Sequence, residues 1–123
     1  MTTTVNPVTW FEIGSADPAA TKAFYGRLFG WTFAGDDDSG MDYTMISAGD
    51  GIKGGIFGTH GEIPSYSIFY VEVPDVAATC RQVDEAGGKV LVEPTSTPDG
   101  LVFAQVLDPF GNHFGLYSPP SAA

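Results

Sequence analysis

Apolar and polar positions alternate along much of this chain, and the alternation is broken twice by helical spacing. Val8 to Ile13 reads as a strand rich in β-branched and aromatic residues. Asp17-Pro18 then supplies a helix N-cap acceptor followed by a proline suited to the first turn. Ala20, Ala23, Phe24 and Leu28 recur at helical spacing, which predicts an amphipathic helix of about three turns with that stripe buried. Gly30 is placed to stop it. Short strands are expected at Trp31 to Phe33, Tyr43 to Ser47 and Gly54 to Phe57.

The same order then recurs. Ser67 to Val73 reads as a strand, and Pro74-Asp75 opens a second helix with Val76, Val83 and Ala86 on its buried face. Gly87-Gly88 ends that helix, and strands follow at Lys89 to Val92, Leu101 to Val106 and Asn112 to Tyr117. In this repeat Asp17 falls on Asp75, Ala19-Ala20-Thr21 on Ala77-Ala78-Thr79, and Gly30 on Gly88. Near the ends Phe57-Gly58 falls on Phe114-Gly115. An internal repeat with one element order carries more information than any single motif here. It divides an expected single domain, 5–118, into module one at 5–58, a linker at 59–65 and module two at 66–118.

Composition narrows the partners. With 123 residues and 43% apolar content the chain can bury a core of its own. Sixteen glycines and nine prolines follow no collagen-like period and mark turns instead. Fifteen acidic against five basic residues give a net charge of -10, which disfavours nucleic acid and anionic membranes as partners. Part of that charge, Asp36-Asp37-Asp38, reads as a solvated loop without the pattern of a calcium site. Cys80 is alone, so no internal disulfide forms, and it reads as a packing residue. The first residues lack a secretory signal, and no stretch approaches the roughly 20 apolar residues of a membrane span. A cytoplasmic protein is the expectation.

Several blocks together resemble one family. Asp17-Pro18, the helix ending Ala23-Phe24-Tyr25-Gly26-Arg27-Leu28-Phe29-Gly30-Trp31, then Gly54-Gly55-Ile56, then Asp108-Pro109-Phe110-Gly111-Asn112 look like the vicinal oxygen chelate superfamily. That superfamily holds glyoxalases, bleomycin-resistance proteins and extradiol dioxygenases. The resemblance runs from about Val8 to Tyr117 and implies an α+β fold. Two tandem βαβββ modules would form a curved mixed sheet with a concave cup. It also implies metal positions on the first strand of each module and on the last strand. Here these match Trp10, Ile68 and Gly115, none of which offers a side-chain donor to a divalent cation. No metal and no other cofactor is therefore expected. Short members of the family commonly pair, so a homodimer is implied.

Strand alternation says what else shares a face with those positions. Glu12 follows Trp10, Tyr70 and Glu72 follow Ile68, and His113 and Tyr117 flank Gly115. The expected ligand-binding wall is thus Trp10, Glu12, Ile68, Tyr70, His113 and Tyr117. Glu12 is open to three readings: a solvent-facing or structurally paired carboxylate, a ligand-contacting or acid/base group, and a substitute metal ligand. His113 is either a half-exposed strand residue or the partner of Glu12 in acid/base work. Trp10 divides between pocket wall and core, and His60 reads as a solvated loop residue in the linker.

Two functions from different classes follow. One is metal-free binding of a small, partly aromatic or cationic molecule in the sheet cup. The other is an enzyme of lyase, isomerase or dioxygenase type, with Glu12 and His113 as catalytic acid/base groups or with a displaced metal site. A regulatory or structural role without either activity is a third possibility.

Overall fold

A computed structural model describes residues 6–35 and 42–120. The acidic run Asp36-Asp37-Asp38 and the expected domain start at residue 5 lie outside the described residues. The element order is β1 (Val8–Ser15), α1 (Pro18–Phe29), β2 (Thr32–Gly35), β3 (Tyr43–Ser47), β4 (Lys53–Gly58), β5 (Tyr66–Glu72), α2 (Val76–Glu85), β6 (Lys89–Ser96), β7 (Val102–Leu107) and β8 (His113–Ser118). Among the described residues this is βαβββ twice over, an α+β arrangement of eight strands and two helices. By contacts it forms two units, Trp10–Ile68 and Met1–Thr9 with Phe69–Ala123.

In the Trp10–Ile68 unit the strands run in the order β2-β3-β4-β1. β1 lies parallel to β4, while β3 is antiparallel to both β2 and β4. The core is Ile13, Ile46 and Ile56, with Phe11, Tyr25, Trp31 and Phe33 packed against it. α1 starts where the sequence places it, because the Asp17 carboxylate accepts from the Ala20 amide at 3.1 Å. It stops at Gly30, whose φ of 72° is left-handed and whose amide donates to the Gly26 carbonyl.

The face that α1 buries differs from expectation. No α1 residue is fully buried, and Phe24 and Leu28 of the expected inner stripe are exposed. The inward side is instead Thr21, Lys22, Tyr25 and Gly26, all half-buried. The cause is aromatic packing: the Tyr25 ring stacks on Trp31 with centroids 5.4 Å apart and planes within 7°. Trp31 serves this stack just before β2, which begins at Thr32.

In the other unit the order is β5-β8-β7-β6, with β5 parallel to β8 and the remaining pairs antiparallel. Its core is Val73, Val76, Cys80, Ala104, Val106 and Leu116. Asp75 caps α2 through the Ala78 amide at 3.0 Å. β6 runs to Ser96, beyond the expected end at Val92. It continues past Pro94 because register shifts on either side of Val92 accommodate the residue, and β6 is the last strand of the row. Among the described residues no helix is long and apolar enough to cross a membrane.

Candidate functional site

In the Trp10–Ile68 unit, strand parity sends Phe11 and Ile13 into the core beneath α1 and sends Trp10, Glu12 and Gly14 to the opposite face. Glu12 is only 6% exposed, in a strand whose register sets it beside Gly55. A buried carboxylate requires polar partners, and Tyr66 is one: its hydroxyl donates to Glu12 Oε2 at 2.6 Å. The Tyr66 ring lies flat over Gly14, where an added Cβ would come within 2.2 Å of it. Tyr43, from β3, covers Gly55 in the same manner at 2.0 Å. Trp10 Nε1 donates to the Tyr43 hydroxyl at 3.0 Å. The two glycines thus let two tyrosines recline on the sheet and enclose Glu12. Ile68, 7% exposed, belongs to this unit as well.

In the second unit Tyr70 is 4% exposed, and its ring fills the space beside Gly115, its partner in the β5/β8 register. Gln105 Nε2 donates to the Tyr70 hydroxyl at 3.0 Å, and Gln105 Oε1 pairs with His113 Nε2 at 2.9 Å. With the amide in this orientation, Oε1 accepts, so His113 carries its proton on Nε2. Burial holds the His113 imidazole below its ordinary pKa. At the end of the same face Glu72 Oε1 accepts from Thr9 and Tyr117 hydroxyls at 3.1 and 3.3 Å, and Thr9 and Tyr117 bond each other. Burial foremost, with Glu72 beside it, pushes the Tyr117 phenol up.

The six expected wall residues therefore fall as Trp10, Glu12 and Ile68 in one unit and Tyr70, His113 and Tyr117 in the other. Tyr43, Tyr66 and Gln105 were not among the expected site residues. Tyr66 was legible by parity, two residues before Ile68, and Gln105 as a lone amide inside an apolar strand. Tyr43 depended on the β3/β4 register and had no local signal. The repeat also aligns differently near its ends. Glu12 faces Gly55 as Tyr70 faces Gly115, so the register equates Gly55, and not Gly58, with Gly115. His60 is exposed and faces Asp42 at 3.5 Å.

The side chains present do not fit the metal of the metal-using relatives. Its three matched positions hold an indole, an alkyl chain and a glycine, and the Tyr70 ring takes up the room beside that glycine. Among the described residues no three of His, Cys, Asp and Glu converge as metal ligands.

Comparison with known proteins places this geometry in a family. The chain is 30% identical over 125 residues to the anthracycline biosynthesis protein DnrV of Streptomyces peucetius, a match covering 88% of this chain and 45% of the relative. It thus spans less than half the length of that relative. A crystal structure of the hypothetical protein BH1468 from Bacillus halodurans C-125 superposes with a TM-score of 0.69 at 15% identity, covering 98% of this chain and 99% of the other. Methylmalonyl-CoA epimerase from Mycobacterium tuberculosis gives 0.61 at 15% identity, covering 93% and 88%. At such identities these likenesses concern the fold alone. The model of the Glyoxalase/Bleomycin resistance protein/Dioxygenase superfamily matches residues 7–116, and the chain belongs to that superfamily.

Proposed function

We propose that this protein binds a small, planar, partly aromatic or cationic molecule without the help of a metal. The observation that carries the reading is Glu12: a carboxylate 6% exposed on the sheet face away from the core, ringed by Trp10, Tyr43 and Tyr66. Rings of this kind offer flat apolar area, and the carboxylate adds one fixed polar contact. The relative named for anthracycline biosynthesis supports a fused-ring aromatic ligand. Pairing of two copies belongs to the same reading, supported by the exposed apolar stripe of Phe24, Leu28 and Phe29 on α1.

Trp10 reports on the test. In a Trp31→Phe variant, Trp10 is the remaining tryptophan, and 1,4-dihydroxy-9,10-anthraquinone should quench its fluorescence saturably at a Kd of about 10 μM or tighter. A linear, non-saturating response up to the solubility limit overturns the reading. EDTA should leave the titration unchanged.

The hydrogen bond from Tyr66 to Glu12 also favours a second reading, an enzyme in which Glu12 moves a proton of the bound molecule. His113 would be the other acid/base group, in its own unit. Glu12→Gln separates the two readings. It changes probe affinity under the first, and under the second it abolishes deuterium exchange from D2O into an acidic C–H of a bound carbonyl compound.

A further inference from the structure

We propose that Glu72, with Tyr117 and Thr9, forms a subsite for an organic ammonium group. Glu72 is half-buried near the end of β5. Its Oε1 is committed to the hydroxyls of Thr9 and Tyr117, while its Oε2 has no partner among the described residues. Nor does any cationic side chain among them pair with it. A carboxylate so placed has lost part of its hydration and has only two hydroxyl donors in return, so an incoming cation gains more there than at an exposed acid.

One aromatic residue stands beside it, since the Tyr117 hydroxyl reaches Glu72 Oε1 at 3.3 Å. The buried Tyr70 ring backs Tyr117 edge to face, with centroids 6.2 Å apart. A carboxylate beside a phenol is a combination that recognises ammonium, by a charge-assisted hydrogen bond and by attraction to the aromatic ring. The raised pKa of Tyr117 keeps its phenol protonated at neutral pH, so it continues to donate to Glu72 and does not compete for the cation. One carboxylate with one free oxygen is too small a donor set for Ca²⁺ or Mg²⁺, which selects an organic cation over a metal ion. The backbone supports the arrangement, because the Glu72 amide donates to the Pro7 carbonyl at 2.8 Å and the Val73 amide to the Tyr117 carbonyl at 2.8 Å. These bonds tie residues 7–9 and β8 to the end of β5, so the hydroxyls meet Glu72 without being ordered by the ligand.

The subsite goes beyond the aromatic-ligand reading and lies in the other unit, so the two can fail separately. The probes are benzylammonium chloride and its neutral isostere benzyl alcohol, titrated into the intact protein at about 20 mM salt and followed by ¹H–¹⁵N NMR. Benzylammonium should shift the Glu72, Val73 and Tyr117 amides saturably, and bind about tenfold tighter than benzyl alcohol. In Glu72→Gln that preference should vanish. Equal binding of the two probes overturns the subsite, as does a preference that survives in Glu72→Gln. Should Glu72→Gln not fold, wild-type protein decides the matter: amide shifts centred on Glu72 and Tyr117 support the subsite, and shifts spread over the acidic surface overturn it. Quenching of Trp10 by the anthraquinone without any effect of benzylammonium would remove the subsite and leave the aromatic-ligand reading standing.

Discussion

Gly115→Ala tests how tightly the Tyr70 ring is packed into the space beside that glycine. A Cβ at residue 115 would lie 2.3, 2.4 and 2.6 Å from three atoms of that ring. Ordinary carbon contacts need about 3.5 to 4.0 Å, so the ring must retreat by about 1 Å or more. It has little room, being 4% exposed and held at its hydroxyl by Gln105, which His113 holds in turn. Overpacking of this kind costs about 1–3 kcal/mol, and loosening the Gln105 bond adds about 1 kcal/mol. Replacing a strand glycine returns about 0.5–1 kcal/mol through the unfolded chain. The net loss is about 1–3.5 kcal/mol, or roughly 4–14 °C in Tm for a domain of this size. Thermal and urea unfolding measure it, with Gly51→Ala as control, since a Cβ there meets nothing within 4 Å. The decisive comparison is Gly115→Ala in a Tyr70→Leu background, where its cost should fall below about 0.5 kcal/mol. An equal cost in both backgrounds refutes the reasoning.

Burial lowers the His113 pKa, so the folded protein binds fewer protons than the unfolded chain in the window just below the ordinary value of about 6.5. Its contribution to stability is therefore present above that pH and is lost as pH falls through the window. Urea midpoints for His113→Gln should drop less between pH 7 and pH 5 than those of wild type, and parallel profiles would remove His113 as the cause. On α1, Phe24→Ser with Leu28→Ser should cost at most about 0.5 kcal/mol each, because both side chains are more than half exposed. Light scattering should show the wild type as a dimer and the double variant as a monomer; a dimer unaffected by the pair would move the interface elsewhere.

The sequence was most legible where the deciding chemistry is local. Asp17, Asp75 and Gly30 act on amides and carbonyls a few residues away, so their residue types alone locate the helix ends. Strand parity was legible for the same reason and sets Glu12 opposite Ile13. Long-range choices were not. α1 carries two apolar stripes, and only the position of Trp31 decides that Tyr25 turns inward while Phe24 and Leu28 stay out. Pro94 reads as a strand end until the bulges of an outermost strand are known.

The partners of the candidate site residues share that limit, and two glycines show why. In sequence Gly55 reads only as part of the Gly54-Gly55-Ile56 block and Gly115 as a repeat marker. In the structure each lies beside the central face residue of its unit's first strand, Glu12 in one and Tyr70 in the other, with a tyrosine ring in the space a Cβ would fill. A glycine's sequence says only that a side chain is absent. Which ring fills the space, and so whether the strand face offers a donor atom or an aromatic surface, depends on pairing between strands remote in the chain. A carboxylate introduced at residue 115 would accordingly lie against the Tyr70 ring and would not by itself create a cation site, since that ring fills the space beside the position.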